Sequence, residues 1–173
     1  MKLNYKSKNQ GLTLIEALIW FAIFAAVVAG VFALYSSSRN ASNASTVNKE
    51  LSTIFSQTEQ LFASDDTAGL TNAIGLQLGI FPSTVKVNGA VVNNVYGGTI
   101  TLTGQSPSGF TVIYTNIPYG EVCSNIVRAQ KAVGWDSGNG VNYNQSYTIE
   151  KVATSCGNNG QGSKAITFVR STT

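Results

Sequence analysis

N-Q-G-L-T-L-I-E-A-L-I-W-F, residues 9–21, is where the chain passes from polar to apolar, and one carboxylate, Glu16, stands inside the apolar side of that passage. Lys2, Lys6 and Lys8 precede it, and from Ala17 to Tyr35 nineteen residues follow without a charge. At about 1.5 Å rise per residue such a helix is about 28 Å long, close to the hydrocarbon thickness of a bilayer. The first charge after the run is Arg39. The excess of lysine before the run therefore predicts an N-terminus in the cytoplasm and the bulk of the chain across the membrane.

Three readings compete for this segment. A cleavable secretory signal needs an apolar core of about 7 to 15 residues and a small-residue cleavage site, which V-F-A at 31–33 supplies. The run is longer than that, and Glu16 interrupts its start. A permanent single-pass anchor fits the length but leaves Glu16 without a part. In the third reading the chain is cut after Gly11, so that the α-amine of Leu12 becomes the N-terminus four residues before Glu16. A charge at the centre of a membrane helix costs about 2.5 to 3.5 kcal/mol, less near an end, and asks for a partner. The protonated amine of a neighbouring copy is such a partner.

Gly11-Leu12-Thr13-Leu14-Ile15-Glu16, behind a short basic leader and ahead of a long apolar helix, resembles the class III signal of type IV pilins. The resemblance implies that a prepilin peptidase cuts between Gly11 and Leu12 and methylates the Leu12 amine. It implies that Glu16 pairs with a neighbouring subunit's amine during assembly. It also implies the other partners: an inner-membrane platform protein, an assembly ATPase and an outer-membrane secretin.

Composition narrows the function classes. Charged residues make up 11% of the 173, against about 25% in ordinary soluble domains, so the surface is mostly neutral and polar. The formal charge of +3 resides in the three leader lysines. The other eight basic and eight acidic residues cancel, which argues against a nucleic-acid partner. The chain has no histidine, which excludes Ser-His-Asp and Cys-His catalysis and histidine metal sites. Asp65, Asp66 and Asp136 lack the D-x-D-x-D-G spacing of a calcium loop and read as loop solvation. G-N-N-G-Q-G at 157–162 has no Lys-Ser/Thr after it and reads as a turn rather than a phosphate cradle. N-A-S at 40 and 43 and N-Q-S at 144 match the N-glycosylation pattern. No catalytic residue, cofactor or metal ligand is therefore expected.

Cys123 and Cys156 are the two cysteines. Behind an export-type N-terminus they read as one disulfide in an oxidising compartment, worth roughly 3 to 4 kcal/mol by chain entropy; the alternative is two buried thiols in a reducing one.

Neither proline nor glycine occurs between Val31 and Ala68. Val47, Leu51, Ile54, Phe55, Thr58, Leu61 and Phe62 recur at helical spacing, predicting one helix of some fifty residues whose second half is amphipathic. The Ser/Asn-rich stretch 36–45 is its softest part. Residues 64–83 read as loop with a short helical turn. V-K-V-N-G-A-V-V, around Asn88-Gly89, predicts a hairpin, and Thr99–Thr103 with Phe110–Asn116 a second that Pro118 closes. Residues 119–133 have helical period, residues 134–145 with Trp135 read as loop, and Ser146–Val152 and Lys164–Arg170 read as strands. Trp135 is expected in the core or at a subunit contact. The disulfide is expected to tie the helix carrying Cys123 to the last loop.

The fold class expected is α+β. A long N-terminal α-helix, half in the membrane and half amphipathic, packs on an antiparallel β-sheet, with a second helix and a disulfide-bounded C-terminal region. The segments are a leader at 1–11, a membrane or filament-core half-helix at 12–35 and a globular domain at 36–173. This order too resembles type IV pilins. The helix between the cysteines and the non-phenylalanine residue at Leu12 are more similar to the IVb subclass, although the leader is shorter than that subclass usually has. No proline kinks the membrane helix, so any bend falls at Gly30 or in the Ser/Asn stretch. The resemblance implies a major pilin that waits in the bacterial inner membrane and then forms a homo-oligomeric surface filament for adhesion, aggregation or conjugal contact. A minor or DNA-uptake pilin, a type II secretion pseudopilin and an anchored enzyme are the alternatives.

Overall fold

The computed structural model describes residues 13–63, 65–144, 146–157 and 162–171. The expected leader, and with it Gly11 and Leu12, lies outside these residues, as does most of the 157–162 turn. Contacts divide the chain into two compact units, Met1–Arg39 and Asn40–Thr173.

Helix α1, Leu14–Leu61, is 48 residues long. Its length follows from the missing breakers. The helix passes through Gly30 and the Ser/Asn stretch, where Ser36 and Thr46 turn their hydroxyls onto the Ala33 and Ser42 carbonyls of the preceding turn.

In the second unit α1 buries Ala44, Val47, Glu50, Leu51, Ile54, Phe55 and Thr58. The expected stripe is present with two changes. Leu61 is 40% exposed because the helix ends there, and Glu50 is inside the stripe. These residues share a core with one face of a seven-stranded antiparallel sheet. The strands are β1 (Lys86–Asn88), β2 (Val91–Asn93), β3 (Thr99–Gln105), β4 (Gly109–Pro118), β5 (Ser137–Gly138), β6 (Val141–Asn142) and β7 (Ser163–Arg170), in the order β1-β2-β3-β4-β7-β5-β6. Cross-strand partners Ile100↔Tyr114, Leu102↔Val112, Val112↔Phe168 and Tyr114↔Ile166 place alternate residues on the inner face. A bulge between Tyr114 and Ile117, with Asn116 at φ 62°, resets the alternation so that Ile117 also points inward.

Both expected hairpins form, as do the short helix α2 (Asn72–Gln77) and a shorter version of the second helix, α3 (Glu121–Gln130). Two expectations are corrected. Ser146–Val152 is not a strand: Ile149–Cys156 is a helix, α4. Thr148 caps it, its hydroxyl accepting from the Lys151 N–H at 3.2 Å, and Val152 and Cys156 fall on its buried side, so tertiary packing overrides the β-branched local preference. Residues 134–145 are not all loop, since Asn139-Gly140 forms the tight turn of the β5–β6 hairpin with both residues at positive φ (51° and 78°).

The segment before α2, together with the first residue of α2, covers the free edge of β3, which β2 pairs only at Thr99 and Ile100. The Asn72 amide takes the place of a strand: its Nδ2 donates to the Ile100 carbonyl and its Oδ1 accepts from the Leu102 N–H, both at 2.7 Å. Further along, the Gly104 N–H donates to the Leu70 carbonyl, and any Cβ on Gly104 would collide with the Thr67 carbonyl. Asn72→Ala is expected to lower stability by about 1 to 3 kcal/mol through the orphaned Leu102 N–H, read as a lower denaturant midpoint at unchanged slope.

Candidate functional site

Two surfaces merit a functional reading: the start of α1 and the stapled end of the second unit. At the start of α1, Thr13 and Glu16 form a reciprocal cap. The Thr13 hydroxyl oxygen accepts from the Glu16 N–H, while Glu16 Oε2 accepts from both the Thr13 N–H and the Thr13 hydroxyl, each at 3.3 Å. This is the T-x-x-E capping box, with the carboxylate also complementing the positive end of the helix dipole. The pattern Thr13-Leu14-Ile15-Glu16 carried the signal, and sequence reasoning did not use it. Glu16 is nonetheless exposed, and among the described residues no cation pairs with it. Thr13→Val is expected to fray this first turn by about 1 kcal/mol, seen as roughly five-fold faster exchange of the Glu16 and Ala17 amides, which Thr13 accepts from, in the micelle-bound chain.

Beyond the cap the helix is apolar all round. Thirteen large apolar side chains from Leu14 to Tyr35 are each half or more exposed, and the most apolar window has mean hydropathy 2.6 with none of it buried. A surface of this kind marks contact with lipid or with other apolar helices. At about 1.5 to 3 kcal/mol per side chain the gain on covering it is roughly 20 kcal/mol or more. That exceeds the cost of carrying Glu16 along several-fold. At the far end the Arg39 guanidinium lies over the Tyr35 ring, 5.8 Å from its centroid, the kind of aromatic and cationic pair that marks a membrane interface.

In the second unit the disulfide joins Cys123 of α3 to Cys156, the last residue of α4, with Cα atoms 5.5 Å apart. It therefore ties helix to helix, where a tie from helix to loop was expected. Both cysteines are fully buried, and Asn139, from the β5–β6 turn, closes over them by donating to the Ser155 carbonyl. Gly120, at φ 73°, starts α3 and donates to the Cys156 carbonyl. Trp135 belongs to the core: its ring meets Phe55, Phe110 and Phe168 at centroid distances of 4.9 to 5.7 Å. Its Nε1 donates to Gln130 Oε1, and Gln130 Nε2 donates to the Asn48 carbonyl, linking the loop through α3 to α1.

Two of the three acidic loop residues have structural partners for their carboxylates. Asp66 accepts from the Ala68 N–H and the Ser106 hydroxyl, and Asp136 accepts from Arg170 and the Ser171 N–H. Arg170 also pairs with Glu59 of α1 at 3.0 Å. Among the described residues no group of three or more His, Cys, Asp or Glu is placed to hold a metal. Of the glycosylation patterns, Asn40 and Asn43 are in α1, while Asn144 makes a turn in which its Oδ1 accepts from the Ser146 N–H and hydroxyl.

The family model described as PilS N terminal matches residues 41–171. No curated protein and no solved structure gives a significant match. The matched region begins after the apolar run, so the signal at residues 9–35 and the family match are separate observations.

Proposed function

We infer that this chain, which belongs to the PilS N-terminal family of pilin-related proteins, is the major subunit of a type IV pilus of the IVb subclass. The observation that supports this most is a helix exposed and apolar on every side from Leu14 to Tyr35 that carries a single carboxylate, Glu16, in its first turn. In this reading the prepilin enters the inner membrane through that helix. A prepilin peptidase cuts between Gly11 and Leu12, and the Leu12 amine is methylated. An assembly ATPase and a platform protein drive the helix out of lipid and into a bundle of like helices, and the filament leaves through a secretin. Lipid and helix bundle are similarly apolar, so transfer between them changes little of the large burial term. The differential comes from packing and from the Glu16 carboxylate meeting the α-amine of a neighbouring copy away from water. The subunit acts as a structural protein rather than as an enzyme. The finished filament serves adhesion, aggregation or conjugal cell contact, with no nucleic acid bound.

Shearing filaments from the cell surface tests this. The chain is expected to be the principal protein of the sheared fraction. Retention in the inner membrane of filament-bearing cells, or only trace amounts in the filaments, would contradict the major-subunit reading.

A further inference from the structure

The stripe of α1 that faces the sheet is interrupted by one ionisable group. Glu50 is 1% exposed and lies among Val47, Leu51 and Ile54. Its Oε1 accepts from the Thr84 hydroxyl at 3.2 Å and its Oε2 from the Tyr114 hydroxyl at 3.4 Å. Tyr114 is a fully buried residue of β4, and Thr84 belongs to the Pro82–Val85 turn that leads into β1. The carboxyl thus joins three elements, and both of its partners are neutral hydroxyls.

The surrounding charges do not compensate it. On α1 itself Lys49 is exposed. Lys86, at the start of β1, is exposed and shares an outer cleft with Thr84. From β4 the titratable group facing Glu50 is the Tyr114 hydroxyl. Both ion pairs among the described residues belong to Arg170.

We propose that Glu50 is a proton-linked latch: as the neutral acid it holds α1 against β4 and the 82–85 turn, and on ionising it loosens that joint. Two neutral hydroxyls cannot replace the water that a carboxylate gives up on burial. Burial accordingly raises the Glu50 pKa above the usual 4.5, and the hydrogen bonds from Thr84 and Tyr114 pull it only part of the way back. The sign follows from proton linkage. Above pH 4.5 the unfolded chain has released this proton while the folded chain still holds it. The stabilisation is therefore complete below pH 4.5 and is lost as pH rises through the higher folded value. A glutamine at this position keeps one of these bonds through its Oε1 and reverses the other, its Nε2 donating to the hydroxyl oxygen, and it has no proton to release.

Thermal midpoints of the full chain in detergent micelles from pH 4 to 8, for wild type and Glu50→Gln, read this directly. Wild type is expected to lose about 3 °C or more relative to Glu50→Gln as pH rises. Titration of the Glu50 side-chain carboxyl by carbon NMR in the wild-type chain is expected to give a midpoint above 4.5, and this test stands even if the variant does not fold. Parallel pH profiles for the two chains, or a carboxyl midpoint at or below 4.5, would overturn the latch.

Discussion

Glu16→Ala subunits are expected to insert in the inner membrane and be cut after Gly11, yet to yield filaments at about one hundredth of the wild-type level or less. The estimate follows from removing one partner of a buried ion pair, which costs about 3 to 5 kcal/mol because the other charge, here the neighbouring α-amine, stays buried and unpaired. Alanine also removes the cap that Glu16 forms with Thr13, so by itself it does not separate two roles of one carboxylate. Glu16→Gln does. A glutamine at the third helical position still accepts from the Thr13 N–H and keeps the capping box, but it carries no charge to meet an amine. If Glu16 serves assembly through its charge, Glu16→Gln fails as Glu16→Ala does. If it serves only as a cap, Glu16→Gln assembles normally. Filament yield from sheared cells, set against subunit abundance in the membrane, decides between them; wild-type yield from Glu16→Gln would remove the assembly role.

Trp135→Ala is expected to have the largest effect on the folded domain. The ring is the meeting point of Phe55 from α1, Phe110 from β4 and Phe168 from β7, so truncation opens a cavity where three elements join. Large aromatic truncations in a core cost about 3 to 5 kcal/mol. The loss of Nε1 also leaves Gln130 Oε1 without its donor, a further cost of about 1 to 3 kcal/mol for a buried polar atom. Set against a usual total stability of about 5 to 15 kcal/mol, this brings the domain to the edge of unfolding. Trp135→Phe separates the two contributions, because it keeps most of the apolar volume and orphans only Gln130. Its denaturant midpoint is expected between those of wild type and Trp135→Ala. A Trp135→Ala midpoint within error of wild type would mean that the aromatic cluster does not hold the sheet and α1 together.

Where local pattern and tertiary structure agree, the fold was legible. The length of α1 could be read from the absence of proline and of any glycine after Gly30, the first hairpin from Asn88-Gly89, α3 from its apolar period, and the disulfide from two cysteines behind an export-type start. The β5–β6 hairpin used the same Asn-Gly signal, at Asn139-Gly140, but its flanks are too short and polar to look like strands. The helix α4 was hidden because Ile149 and Val152 favour strands locally, and only the cap at Thr148 and the burial of Val152 and Cys156 reverse that preference. The insertion of β7 between β4 and β5 depends on pairings across thirty or more residues, which no local window contains. At the start of α1 the carboxylate stands out as a charge in an apolar run, and that contrast hides the T-x-x-E cap it forms with Thr13. Glu50 escaped notice for the converse reason, since a charged residue inside an amphipathic stripe is normally assumed to face water.

Residues 9–16 read as a processing and assembly signal, and intact mass with N-terminal sequencing of the protein sheared from the cell surface tests that reading. The chain is expected to begin at N-methylated Leu12. A chain that begins between Leu34 and Ser38 would mean an ordinary secreted domain cut after a signal peptide, and would contradict both the processing site and the role given to Glu16.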